Sequence, residues 1–214
     1  MERAQTELQN SYDRVAEEYA NQFFNELDEK PFDRKMLDWL DEKVNGRGVI
    51  CDVGCGPGQI AHYLRGRGAQ VCGLDLSPEM LRQARRLSPD IPFQQGNMLA
   101  LTEVAGNSYG GIAAFYSIIH IPRLRAVEAL RELKRVLRRG GTLLLTLHIG
   151  QHTIHRDEWW GREVFLDFHF FGTEEMKGYL RAAGFEIEEV IERDPYPDVE
   201  YQSRRAYIFA KNPG

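Results

Sequence analysis

Long apolar runs, cysteine and net positive charge are all scarce in this sequence. No stretch approaches the ~18 apolar residues of a membrane-crossing helix. The polar opening MERAQTELQNSYDR has no apolar segment of the secretory kind. A cytoplasmic chain with no membrane partner is therefore expected. Its three cysteines, Cys51, Cys55 and Cys72, are too few and too crowded for a disulfide scaffold. Cys51 and Cys55 stand four apart among Gly54, Gly56 and Pro57, a poor frame for a zinc knuckle, so reduced, buried thiols and no metal are expected. Lys and Arg number 27 against 32 Asp and Glu, a formal charge of −5. This balance leaves no footprint for a phosphate backbone and argues against nucleic acid as a partner. The basic stretch from Arg123 to Arg139 reads as a solvated helix face.

What is present is ordinary for a globular domain: 214 residues, 43% hydrophobic and 28% charged. Residues 2–44 carry apolar side chains at helical spacing, with Pro31 opening a second helix and Gly46 and Gly48 closing it. Strands are then expected at 49–53, 70–76, 91–95, 111–118 and 140–149, alternating with helices at 58–66, 78–87 and 123–138. Ser77 and Pro78 give the helix at 78–87 its cap and first residue. A helix near 173–183 precedes an antiparallel pair at 185–194 and 201–212. The expected fold is α/β, a doubly wound, mostly parallel seven-stranded sheet with a C-terminal antiparallel hairpin and an N-terminal helical lid. Residues 1–45 form the lid and 46–214 the ligand-binding domain, with a variable insertion at 148–171.

The informative segment is Asp52-Val53-Gly54-Cys55-Gly56-Pro57-Gly58, directly after the first strand. Alternate glycines let the backbone turn sharply and approach a ligand, and the next helix offers free N–H groups. The spacing is G-x-G-x-G; a dinucleotide fingerprint would need glycine where Gln59 stands. Asp52, two positions before the first glycine, would repel a pyrophosphate and suits a cationic group. Asp75 ends the second strand, where two carboxylate oxygens match two ribose hydroxyls. A ligand with a ribose and an amine, and without a diphosphate, is implied. The plainer alternative is a tight turn with no ligand.

DVGCGPG and GLDLSPEM resemble the first two motifs of the class I, Rossmann-like S-adenosylmethionine-dependent methyltransferases, in their small-molecule, ubiquinone- and menaquinone-biosynthesis-like branch (methyltransferase domain 11/25 type). The resemblance implies S-adenosylmethionine as cofactor and S-adenosylhomocysteine as product. It places Asp52, Gly54, Cys55, Gly56 and Gly58 around the methionyl part and Asp75 on the ribose. Leu76 and Met80 would flank adenine. Asn97, where the family often has Asp, and Met98 would meet the adenine edge. FYSIIHIP resembles the fourth motif, with Tyr116 and Ser117 near the methyl group, and YDRVAEEYA resembles a lid whose Tyr12 and Tyr19 cover the cofactor.

Methyl transfer from a sulfonium needs alignment and exclusion of water, and a base only when the acceptor must lose a proton. His120 and His148 are the candidate bases. Within 148–171, His152, Trp159 and Trp160 are expected to face a substrate; the tryptophans and Tyr116 could instead cage a cationic amine. The expected activity is methyl transfer to O or N of a small, partly aromatic metabolite. Alternatives are a non-catalytic module binding the same cofactor, an RNA or protein methyltransferase, and a nicotinamide-dependent oxidoreductase.

Overall fold

The computed structural model describes residues 2–214. Helix α1 (Glu2–Phe23) leads through a 3₁₀ turn (Glu26–Glu29) to α2 (Pro31–Val44). The alternating region follows as β1 (Ile50–Val53), α3 (Gln59–Gly66), β2 (Val71–Asp75), α4 (Pro78–Leu87), β3 (Phe93–Gln95) and β4 (Tyr109–Phe115). A short 3₁₀ turn (Ile118–His120), α5 (Arg123–Val136) and β5 (Leu137–His148) complete it. Next come a ribbon of β6 (Thr153–Trp159) and β7 (Arg162–His169), then α6 (Thr173–Ala182), β8 (Glu186–Arg193) and β9 (Arg205–Lys211).

Seven strands form one sheet in the order β3-β2-β1-β4-β5-β9-β8. Neighbours are parallel from β3 to β5, and β9 runs antiparallel to both β5 and β8. Both faces are covered, which accounts for strands that read as continuous apolar runs. In β5, Leu143, Leu145 and Leu147 join the cluster under α5 and α6, while Leu144 joins the cluster under α2, α3 and α4. Helix α2 buries Met36, Leu37 and Leu40 in that second cluster, so it is a layer of the sheet domain. Helix α5 packs its apolar face into the first of these clusters. Ala126, Ala129, Leu130, Leu133 and Val136 are buried, and Leu137 already belongs to β5.

Helix α1 lies elsewhere, bridging α4 and the ribbon. Asp13 Oδ1 accepts hydrogen bonds from Ser77 Oγ (2.5 Å) and Glu79 N (3.2 Å), at the first turn of α4. On its other flank Ser11 Oγ accepts from Phe165 N (2.8 Å), and Val15 packs on Val164 and Leu166 of β7. The 148–171 insertion is thus a two-stranded ribbon turning at Trp160 and Gly161, both at positive φ. Among the described residues no helix is long and apolar enough to cross a membrane.

Candidate active site

The glycine turn follows β1. Gly54 has φ +73°, and a Cβ there would lie 2.3 Å from Ser117 Cβ, so only glycine fits between the turn and the end of β4. Gly56, at φ +53°, opens instead on a cavity, where a Cβ would meet only Tyr19 Cε1 at 3.8 Å. Its N–H donates to Asp75 Oδ2 at 2.8 Å, and Ser77 N–H donates to Asp75 Oδ1 at 2.8 Å. Partial removal from water pushes the Asp75 carboxyl up to about 6, against the lowering effect of these two N–H groups.

The cavity holds about 670 Å³ and runs along the carboxyl ends of the strands beneath α1 and the ribbon. It brings together Tyr12, Tyr19, Gly54, Cys55 and Gly56, then Asp75, Leu76, Met80, Asn97 and Met98. Its far part is walled by Tyr116, Ser117, His120, His148 and Trp159. Asn97 is tied at both ends of its amide: Nδ2 donates to Gln5 Oε1 (3.1 Å), and Oδ1 accepts from Leu99 N (3.0 Å). Tyr116 sits at φ +50°, its N–H held by Thr146 Oγ1 at 2.9 Å.

Four expected site residues do not line it. Asp52 is 1% exposed, and its Oδ2 accepts from Ala61 N at 3.3 Å, inside α3. Burial pushes its carboxyl well above the usual range, and its hydrogen bond turns it toward α3 behind the turn. Gly58 faces Phe93, whose Cζ would lie 2.8 Å from a Cβ. His152 stacks on Phe170 (4.2 Å between centroids) outside the cavity. Trp160 stacks on Trp159 (4.6 Å, 15°) at the ribbon turn and is 37% exposed. The insertion contributes through His148, Trp159 and, from β7, Phe165, Asp167, Phe168 and His169.

The two histidines are held differently. His120 Nδ1 lies 3.0 Å from the Asp167 carbonyl oxygen, which can only accept, so Nδ1 carries the proton. Nε2 is then the acceptor for Tyr12 O–H at 2.7 Å. Burial brings the imidazole down to about 4 and keeps it neutral, and burial also raises the Tyr12 phenol. His148 is sandwiched between Tyr116 (4.9 Å, 30°) and Phe170 (5.2 Å, 28°), with Nδ1 2.7 Å from Ser203 Oγ. Burial, reinforced by the Arg205 charge, brings it down to about 3. Among the described residues its Nε2 has no hydrogen-bond partner.

Residues 50–141 match the family described as Methyltransferase domain. The matched segment carries the glycine turn, Asp75 and Tyr116 and is similar to S-adenosylmethionine-dependent methyltransferase domains. Among similar proteins, the malonyl-[acyl-carrier protein] O-methyltransferase of Enterobacter lignolyticus is 33% identical over 138 residues, 64% of this chain. The chain spans about half (51%) of that relative's length. The ubiquinone biosynthesis O-methyltransferase of Pseudomonas entomophila is 25% identical over 169 residues, 72% of each chain. In fold, the domain resembles the 1,6-didemethyltoxoflavin-N1-methyltransferase of Burkholderia thailandensis, solved with its acceptor and S-adenosylhomocysteine. The TM-score is 0.70 at 17% identity, over 97% of this chain and 86% of that one.

Glu26, Lys30 and Gln59 also line the cavity, as do Tyr201 and Arg205 at its far end. Sequence reasoning missed them. Only Gln59 left a trace, as the residue that breaks the dinucleotide pattern.

Proposed function

We propose that this chain transfers the methyl group of S-adenosylmethionine to an oxygen or nitrogen of a small, partly aromatic metabolite. The observation that carries the reading is one cavity in which the glycine turn and Asp75 meet an aromatic wall and a neutral histidine. The residues suit the cofactor. Each Asp75 oxygen accepts one backbone N–H and keeps a lone pair for a ribose hydroxyl. Among the described residues Ser117 Oγ and Gln59 Oε1 are buried on the cavity wall with no partner, places where a polar ligand completes the hydrogen bonding. Leu76, Met80 and Met98 supply apolar surface for adenine. When bound, S-adenosylmethionine supplies a methyl group already activated on a sulfonium. O- and N-methylation of small molecules in the similar proteins' names supports the acceptor class.

The chain's own work is to align the acceptor, exclude water and take up a proton. The imidazole of His120 is screened from the acceptor by the Tyr12 hydroxyl. An acceptor proton therefore passes to the Tyr12 oxygen while the Tyr12 proton moves to His120 Nε2, and the Asp167 carbonyl holds the resulting imidazolium. His148 Nε2 is a second acceptor, for a substrate bound deeper beside Tyr201. Of the proposed N-terminal lid, α1 is the covering part; residues 46–214 with α2 form the catalytic body.

Thermal melts with S-adenosylhomocysteine and with NADH test the cofactor. Ligand at ~100 times its dissociation constant stabilises by about 2.7 kcal/mol. Stabilisation by NADH alone would sink the reading. Methyl transfer to a panel of phenols and heteroaromatic amines then separates an enzyme from a binding module.

A further inference from the structure

We propose that Glu26, Gln59 and Lys30 clamp the α-amino-acid zwitterion of the methyl donor, a subsite outside the sequence motifs. The inference rests on the reading of the cavity as an S-adenosylmethionine site.

Glu26 opens the 3₁₀ turn after α1, Lys30 follows that turn, and Gln59 is the first residue of α3. All three line the cavity beside Gly56 and Tyr19. Lys30 Nζ lies 2.5 Å from Glu26 Oε2, and Gln59 Nε2 donates to Glu26 Oε1 at 3.0 Å. The amide is thereby oriented, and Gln59, 8% exposed, keeps its Oε1 without a partner. A buried carbonyl oxygen left unmatched on the cavity wall calls for a donor, and a fixed carboxylate next to it favours a cationic one. An α-ammonium is such a donor. Lys30, also 8% exposed, has three N–H donors, one of them used on Glu26. The remaining two suit the adjoining α-carboxylate. The trio has no net charge, and neither does an α-amino-acid group.

Position supports the assignment. The Glu26 charge is close enough to Tyr19 to help raise its phenol, after burial. Tyr19 in turn stands over Gly56, so the trio adjoins the glycine turn. The acid expected to meet the cationic part, Asp52, is committed to Ala61 N–H behind that turn.

Isothermal titration with two ligands separates this clamp from the rest of the site. S-adenosylhomocysteine carries the amino-acid arm, whereas 5′-deoxy-5′-methylthioadenosine shares adenine, ribose and sulfur without it. Glu26→Gln and Gln59→Leu are each expected to weaken S-adenosylhomocysteine about ten- to a hundredfold while leaving the thionucleoside within about twofold. Equal weakening of both ligands, or of neither, overturns the clamp. Failure of the wild-type chain to bind either ligand overturns the cofactor reading along with it. Gln59→Leu preserves side-chain bulk, and Glu26 is partly exposed, so circular dichroism melts within a few degrees of wild type are expected for both.

Discussion

Asp75, lifted to about 6, makes both binding and stability depend on pH. Its folded-state value lies above the ordinary 3.8, so the folded chain holds more protons than the unfolded chain between about 4 and 6. Its contribution therefore falls as pH rises through that window. Ribose hydroxyls prefer the carboxylate, so S-adenosylhomocysteine affinity should fall about tenfold per unit of pH below about 6. Asp75→Asn should flatten that profile, as titration calorimetry between pH 5 and 8 can check. The histidines act in the opposite direction. His120 and His148, brought down to about 4 and about 3, add stability that is present above 6.5 and lost as pH falls. Acidification from pH 7 to 5 should lower the melting temperature, and less so in His148→Phe. Tyr12→Phe removes the relay's first atom and is expected to lower kcat about 10²-fold on a phenolic acceptor. Its S-adenosylhomocysteine affinity should stay near wild type; if kcat is unchanged with the true acceptor, the relay is wrong.

Elements differ in how plainly their residues announce them. The strands of the parallel sheet have both faces covered, so their apolar runs were legible, and Ser77-Pro78 marks α4 because Ser77 Oγ accepts from Met80 N. The ribbon left no comparable signal. Between Thr153 and His169 only Val164 and Leu166 are buried, and six of the other fifteen positions are charged. The direction of Asp52 was hidden for a related reason. Motif spacing places an acid next to a turn, whereas strand alternation decides its side. Cys51 and Val53 face α5, so Asp52 shares the other side with Ile50, towards α3. Lid docking is the element-scale feature open to test. Asp13→Ala removes the acceptor for Ser77 Oγ and Glu79 N and is expected to cost about 1–2 kcal/mol in urea unfolding. Faster amide exchange should then appear in α1 and in the first turn of α4. Exchange confined to α4 would show that α1 is held by the ribbon alone.

At the scale of the whole molecule, the last strand lies inside the sheet. Strand β9 pairs with β5 through seven residues, from Thr142–Lys211 to His148–Arg205, and β8 is attached only through it. Its Tyr207, Ile208 and Phe209 are fully buried, and they join the clusters on both faces. During synthesis β5 must therefore wait as an open, strongly apolar edge until residues far downstream emerge. Such delayed, long-range closure slows folding and leaves an edge able to pair with other chains. Slower elongation before β9 should thus lower the soluble yield, while the purified, folded protein should be indifferent to how it was made.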